Sequence, residues 1–193
     1  MTCSWVPEER DLYLFDIDGV LIRVHEPFST RYEKKVNSPG LMTIFFAGVF
    51  QECLVGKADL KEEVAKRLRD WKWGGDVDTF LEHWFGAEAT INYEMRDLLK
   101  ELKSQGKSCF LVTNQEKYRT EYLDEKLDVG ALVDGLYSSS MLGVKKPNHA
   151  FYTEVLKRIG FEGDFGLVFY VDNDLKNVAA AKELGIDSFY YKA

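Results

Sequence analysis

Two aspartates, Asp16 and Asp18, stand one residue apart directly after the apolar residues 12–15. Residues at positions i and i+2 of an extended chain project to the same side, so both carboxylates leave the end of this predicted strand together. Two negative charges this close are costly unless a cation or a shared proton lies between them. The pair predicts a magnesium site or acid–base chemistry; the alternative is an ordinary polar turn with an Asp-Gly loop signal.

Three further apolar segments end in polar residues that could belong to the same site. Thr113 and Asn114 follow the first of these segments. Lys146 stands before a proline shortly after the second, and Asp172 follows the third. In an open α/β sheet, ligands bind at the carboxyl ends of the strands. We therefore expect these side chains to meet the aspartate pair in one crevice.

This ordered set of motifs resembles the haloacid dehalogenase-like hydrolase superfamily. Residues 16–20 look like its first motif, residues 113–114 like its second, and residues 143–147 like its third. Asp172, with Asn177 five residues later, looks like its fourth. The first and third motifs are fairly specific, and the second is weak when taken alone.

The resemblance covers the segments at about residues 8–22 and 90–193. One departure stands in the fourth motif, where many members carry a second acid directly after the first. This sequence has Asn173 at that position and Asp174 one residue further on. Asp172 is then the well-placed metal-binding acid of this segment.

The resemblance implies phosphoryl transfer through a covalent intermediate on a carboxylate. Asp16 would be the nucleophile, and Asp18 would be the general acid that protonates the leaving group and then the base that activates water. The implied cofactor is Mg²⁺, held by Asp16, by the backbone carbonyl of Asp18 and by Asp172, with waters completing the coordination.

The second and third motifs imply the groups that bind the phosphoryl oxygens. Thr113 and the Asn114 amide would donate hydrogen bonds to them, and Lys146 would supply a positive charge. The superfamily places its lysine directly before proline, which selects Lys146 over Lys145. We expect Lys145 to be solvated.

The rest of the chain alternates strands with helices, which implies parallel pairing with right-handed crossovers. The predicted fold class is α/β, a Rossmann-like doubly wound parallel sheet with a small inserted helical cap subdomain. The predicted core helices are 92–105, 116–127, 147–159 and 174–184.

Residues 25–88 break this alternation and divide the chain into an α/β core domain, 1–24 and 89–193, and a helical cap subdomain, 25–88. The insert begins beside the aspartate pair, so it is well placed to close over the site and exclude water. The alternative is a helical subdomain that happens to sit at this point. The helices predicted in the insert are 31–50, with a break near Pro39-Gly40, 60–73 and 77–85.

Composition limits the function classes. A chain of 193 residues with a net charge of −7 lacks the overall basic character of a general nucleic-acid binder. Its three cysteines are scattered and show neither metal-ligand spacing nor a disulfide framework. We find no signal sequence and no segment long enough to span a bilayer, which favours a cytoplasmic protein without a membrane partner. We expect a monomer or a homodimer.

The sequence therefore predicts a Mg²⁺-dependent phosphatase that acts on a small phosphorylated metabolite such as a sugar phosphate. One alternative is a sugar phosphomutase, which needs a water-tight cap and a second phosphate clamp. Another is a non-catalytic binding scaffold of the same fold, which the presence of Asp16, Asp18 and Lys146 disfavours. Dehalogenation is also disfavoured, because dehalogenases of this superfamily do not carry the second acid.

Overall fold

The computed structural model describes residues 5–7 and 9–192. A five-stranded, all-parallel sheet with the order β3-β2-β1-β4-β5 forms its centre. The predicted Rossmann-like α/β fold is confirmed. The strands are β1 (Leu12–Phe15), β2 (Ser108–Thr113), β3 (Gly135–Ser138), β4 (Val168–Asp172) and β5 (Asp187–Tyr190).

Helices occupy the crossovers between strands and the long segment between β1 and β2. The helices are α1 (Phe28–Lys35), α2 (Thr43–Ala47), α3 (Val49–Cys53), α4 (Leu60–Ala65), α5 (Val77–Ala87), α6 (Tyr93–Ser104), α7 (Lys117–Leu127), α8 (Ser139–Leu142), α9 (His149–Ile159) and α10 (Leu175–Glu183). The four predicted core helices correspond to α6, α7, α9 and α10. No helix in the described part of the chain is long and apolar enough to cross a membrane.

The sheet is covered by apolar side chains on both faces, as expected for a parallel sheet between helices. Successive residues of β1 alternate between the faces: Tyr13 and Phe15 pack in the cluster that contains the apolar stripe of α6, while Leu12 and Leu14 pack in the cluster of α9 and α10. All four side chains are buried. The central strand is therefore fixed in register, which fixes the position of the aspartate pair that follows it.

Helices α1 to α5 form a separate apolar cluster, rich in aromatic rings, that includes Phe28, Tyr32, Phe45, Phe80 and Trp84. Gly40, at φ +77°, lies between α1 and α2, where the sequence predicted a break near Pro39-Gly40.

The prediction of one helix over residues 60–73 is wrong. The α-helix ends at Ala65, and the chain continues in turns through Lys72. These turns let the buried Trp71 ring pack 5.0 Å from Phe45, centroid to centroid, while the Trp71 carbonyl accepts a hydrogen bond from the Tyr32 hydroxyl at 3.0 Å. Tertiary packing outweighs local helix propensity here.

Candidate active site

The aspartates of the first and fourth motifs lie side by side at the carboxyl end of the sheet. Phe15 pairs with Val171 across β1 and β4, so Asp16 lies level with Asp172. The Asp16 amide donates to the Val171 carbonyl at 2.9 Å. The chain runs from β1 outward to β3 and then returns to β4 on the other side of β1. The two acids therefore flank the point where strand order reverses, which is where ligands bind in such sheets.

Lys146 lies between these two acids. Its Nζ is 2.8 Å from Asp16 Oδ1 and 2.7 Å from Asp172 Oδ2, and it also donates to the Val112 carbonyl at 3.1 Å. Burial opposes the lysine's charge, but the two carboxylates outweigh burial and raise the pKa of Lys146. The ammonium group is therefore held as a fixed positive charge at the centre of the site.

The carboxyl group of Asp16 is buried and carries a perturbed pKa. Burial raises the pKa of Asp16 to about 7, although the neighbouring Lys146 ammonium acts in the opposite direction. The ionised form of Asp16 thus depends on positive charge beside it. A second cation at this position would extend ionisation to lower pH, because opposite charge favours the carboxylate.

Asp172 is fully buried and held by donors from several directions. Besides Lys146, the Tyr170 hydroxyl donates to its Oδ2, the Asp174 amide donates to its Oδ1 at 2.7 Å, and Asn177 Nδ2 lies 3.2 and 3.1 Å from its two oxygens. Asn177, which the sequence placed in the fourth motif, therefore orients this carboxylate. The network fixes Asp172 rigidly beside Asp16.

The residues that depart from the family motif have structural roles. The Asp174 carboxylate accepts a hydrogen bond from the Lys176 amide at 2.8 Å and caps the N-terminus of α10. The Asn173 side chain lies against Gly19: a Cβ added to Gly19 would stand 1.9 Å from Asn173 Nδ2. Gly19 also has φ +85°, so both space and backbone conformation require glycine there.

Asp18 lies at the edge of the site with part of its side chain open to a cavity; the side chain is 39% exposed. Gln115 Nε2 donates to Asp18 Oδ2. Oδ1 is buried, lies 3.7 Å from Arg119 Nη2, and has no hydrogen-bond partner among the described residues. Burial raises the pKa of Asp18, with Arg119 opposing the shift. A raised pKa favours the protonated form that a general acid needs.

Arg119 joins Asp18 to the helical insert. Its guanidinium donates to the Phe85 carbonyl at 2.7 Å and to the Glu88 carbonyl, and the residue is buried. These carbonyls stand at the C-terminal end of α5, where a positive charge is favoured. One side chain thus contacts both an acid of the first motif and the end of the insert.

The sequence predictions missed Gln115 and Arg119. Gln115 stands two residues after Thr113, so an extended chain directs both side chains to one side. Arg119 follows the N-cap residue Glu116 by three positions and lies on the first turn of α7. Gln115 thus follows the end of β2, and Arg119 lies at the start of α7, and both face the site. The sequence does not show that Arg119 also contacts the insert.

The second motif lies against the third. Thr113 is buried at the end of β2, level with Ser138 of β3. The Asn114 side chain accepts from the Lys146 amide at 2.8 Å and donates to the Lys146 carbonyl at 3.0 Å. Asn114 therefore positions the lysine segment through its side chain. The expectation of a solvated Lys145 is wrong: the residue is half-buried and its Nζ donates to Gln51 of the insert.

The acidic donors at the centre of the site fit magnesium. No group of three or more His, Cys, Asp or Glu side chains is spaced to hold a metal ion in residues 5–7 and 9–192. The central carboxylates are two, from Asp16 and Asp172. Mg²⁺ prefers oxygen ligands, commonly takes one or two carboxylates from a protein and keeps several waters.

Comparison with known proteins places the chain in a family. The model of the haloacid dehalogenase-like hydrolases matches residues 11–185. A sesquiterpene phosphatase, astK of Aspergillus oryzae (strain ATCC 42149 / RIB 40), is 36% identical over 92 residues, which are 48% of this chain and 46% of that protein. The drimenol cyclase drtB of Aspergillus calidoustus is 31% identical over 104 residues, 52% of this chain and 19% of that protein. The alignments thus span less than half of either relative.

Solved structures share the fold over nearly the whole chain. A HAD family enzyme from Bacteroides thetaiotaomicron, in complex with magnesium and inorganic phosphate, superimposes with a TM-score of 0.80 at 20% identity and covers 95% of both chains. With the family model matching most of its length and the motif residues meeting at the carboxyl end of the sheet, this chain belongs to the haloacid dehalogenase-like hydrolases.

Proposed function

We propose that the protein is a Mg²⁺-dependent phosphatase that hydrolyses a small phosphorylated metabolite through an aspartyl-phosphate on Asp16. The observation that carries the proposal is the position of Lys146 Nζ, within 2.8 Å of both Asp16 and Asp172 at the point where strand order reverses. This places a nucleophilic carboxylate beside a fixed positive charge, as transfer of an anionic phosphoryl group requires.

The reaction has two steps. In the first, an Asp16 carboxylate oxygen forms a bond to phosphorus while the bond from phosphorus to the leaving oxygen breaks, and Asp18 transfers its proton to that oxygen. In the second, the Asp18 carboxylate takes a proton from water, the water oxygen bonds to phosphorus, and Asp16 leaves as a free carboxylate. Lys146, Thr113 and the backbone amide of Asn114 hold the phosphoryl oxygens throughout, since the Asn114 side chain is bound to the Lys146 backbone.

Asp16, Asp172 and the backbone carbonyl of Asp18 would hold the magnesium ion. When bound, it supplies charge neutralisation at the phosphoryl group. The donor set described above supports this assignment, as does the bound magnesium and phosphate of the Bacteroides enzyme of the same fold.

Residues 25–88 act in this proposal as a cap that keeps water from the site. Several contacts between the insert and the core support it. Ser139 Oγ donates to the Leu54 carbonyl, the Tyr118 hydroxyl donates to Asp59 at 2.6 Å, and Arg119 holds the end of α5. A cap seated directly over Asp18 limits solvent access and strengthens electrostatic interactions within the site.

The name of the Aspergillus oryzae relative supports phosphate-ester hydrolysis as the reaction type, over the half of the chain that it matches. The presence of Asp18 as a second acid also supports it, because a leaving alkoxide needs a proton at neutral pH whereas a halide does not.

A screen of phosphorylated compounds with and without Mg²⁺, with inorganic phosphate release as the readout, tests the proposal. Phosphate release should need Mg²⁺ and should fall at least about 10³-fold in Asp16→Asn, because an amide cannot form the intermediate. The matched control is Asp70→Asn, which changes an exposed aspartate of the insert. Near-normal release by the Asp16→Asn variant would overturn the proposal.

A further inference from the structure

A cavity of about 240 Å³ opens beside Asp18, between the core and the insert. Its core side is formed by Asp18 and by residues at the end of the second motif and the start of α7. Its insert side is mainly aromatic, and Pro27, Ser29, Leu54 and Glu88 complete it. The rings that line it are those of Phe46, Phe50, Trp84 and Phe85.

These rings form a preassembled wall. Phe46 and Phe50 pack edge to face with centroids 5.1 Å apart, and Phe46 packs likewise on Trp84 at 5.3 Å. Trp84 and Phe85 are nearly buried, with 7% and 4% of their surface exposed. Rings held this way offer apolar surface without having to be ordered by a ligand.

Two of the three acids that line the cavity, Glu88 and Glu116, are already bound to protein groups. Glu88 accepts from the Phe28 amide and, at 3.1 Å, from Trp84 Nε1. Glu116 accepts from the amides of Tyr118 and Arg119 as the N-cap of α7. Both carboxylates therefore hold parts of the protein together and are not free to bind a ligand.

The other large polar side chains of the wall are engaged as well. Asn114 holds the Lys146 backbone, and Arg119 holds the carbonyls of Phe85 and Glu88. A leaving group rich in hydroxyls would meet few unoccupied partners here, and unpaired buried polar groups are costly.

We propose, on the basis of the phosphatase function above, that the substrate is a phosphate monoester of an apolar alcohol whose alkyl or alkenyl chain lies in this cavity. The phosphoryl group meets Asp16, the ester oxygen meets Asp18 at the cavity mouth, and the chain extends along Phe46, Phe50 and Trp84. At about 240 Å³, the cavity has room for several carbon atoms of such a chain.

Aromatic walls also bind quaternary ammonium groups through the faces of their rings. Two features favour a neutral chain. The Arg119 guanidinium is part of the same wall and lies over the Phe85 ring, 5.5 Å from its centroid. The nearby acids Glu88 and Glu116, which could balance a cationic ligand, are held by the donors named above.

The test is a series of n-alkyl phosphates from ethyl to decyl, with glucose 6-phosphate, phosphocholine and acetyl phosphate as comparison compounds, all with Mg²⁺. A buried methylene contributes enough to raise kcat/KM about fourfold. We expect a rise of roughly 10²-fold from ethyl to hexyl phosphate and a plateau once the chain is longer than the cavity. Glucose 6-phosphate and phosphocholine should be poorer than hexyl phosphate.

Variants of the aromatic rings show whether they cause the dependence of kcat/KM on chain length. Phe46→Ala and, separately, Phe50→Ala should lower kcat/KM for hexyl phosphate about tenfold or more and lower that for ethyl phosphate much less. The matched control is Ile44→Ala, since Ile44 lies on the same helix as Phe46 and is 87% exposed. Circular dichroism shows whether each variant is folded.

Binding of hexylphosphonate against ethylphosphonate, measured by calorimetry with Mg²⁺, separates failure of this inference from failure of the proposed function. Equal binding and equal turnover along the alkyl series, with acetyl phosphate hydrolysed, would overturn the apolar substrate and leave the phosphatase standing. Preference for glucose 6-phosphate or phosphocholine would also overturn it. Chain-length-dependent binding with no hydrolysis of any compound would support the cavity assignment and overturn the phosphatase.

Discussion

At the scale of single residues, the site depends on one buried lysine between two carboxylates. Removing one partner from a buried charge cluster leaves an uncompensated charge, so replacing any one of these three residues should destabilise the site. The motif spacing identified Asp16, Lys146 and Asp172 from the sequence. The sequence could not show that Asn114 orients the lysine segment through its side chain, because that contact joins two loops 32 residues apart.

Asp18→Asn should separate proton transfer from nucleophilic attack. The variant should lose about 10²–10⁴-fold in kcat/KM with alkyl phosphates. Aryl phosphates should suffer a smaller loss, since their leaving groups need less protonation. Steady-state kinetics with both substrate types provide the measurement, and equal losses would show that Asp18 is not the general acid.

Gly19→Ala should destabilise the fold by about 1–3 kcal/mol, because the new Cβ would clash with Asn173 and the backbone has a positive φ. Asn173→Ala in the same chain should recover part of that loss by removing the clash. Urea unfolding of the two single variants and the double variant measures the coupling. If the losses of unfolding free energy in the two single variants simply add in the double variant, the two residues do not clash.

At the scale of elements, the strands and the four core helices were predictable, whereas the segment after α4 was not. Strands and helices are predicted from the spacing of apolar residues that are close in sequence. These predictions were correct where the apolar residues of the pattern are also the buried ones. Residues 66–72 form turns because Trp71 packs on Phe45 and its carbonyl accepts a hydrogen bond from Tyr32, and both partners are distant in sequence. Local propensity carries no information about such contacts.

The start of α7 should make stability depend on pH. Burial raises the pKa of Glu116 from 4.5 to about 7 despite the two amides that it caps. The folded state therefore binds the Glu116 proton more tightly than the unfolded state does. The stability that this proton contributes is fully present below about pH 4.5 and is lost as pH rises through about 7.

Glu116→Gln cannot titrate, so it provides the reference for this effect. The free energy of unfolding of the wild type, minus that of the variant, should fall between pH 4.5 and 7.5 by up to about 3 kcal/mol. Urea titrations at half-unit pH steps measure it. A difference that is constant or that rises with pH would contradict a raised pKa in the folded state.

At the scale of the whole molecule, the insert contacts the core through residues that are distant in sequence, such as Arg119 and Phe85. The insert's position after the first motif indicated a cap, and its aromatic residues indicated a small helical core. The structure adds that several of these rings also face a cavity beside Asp18. Arg119 connects this region to the core through the end of α5.

Arg119→Gln should loosen the contact between insert and core. Amide hydrogen exchange at residues 85–88 should accelerate, and kcat should fall about 10–100-fold, because a small misplacement of the groups around Asp18 is costly. Arg96→Gln, at an exposed ion pair with Asp97, is the control. Unchanged exchange together with unchanged kcat would remove Arg119 from any positioning role.

Asp16 should carry the phosphoryl group during turnover. In Asp18→Asn, hydrolysis of the intermediate is slowed, so an aryl phosphate with Mg²⁺ should leave the acyl phosphate populated. Acid quenching, borohydride reduction and peptide mass mapping should then find the Asp16 side chain converted to a primary alcohol. Phosphate release with Asp16 unmodified, or modification of a different carboxylate, would show that Asp16 is not the nucleophile.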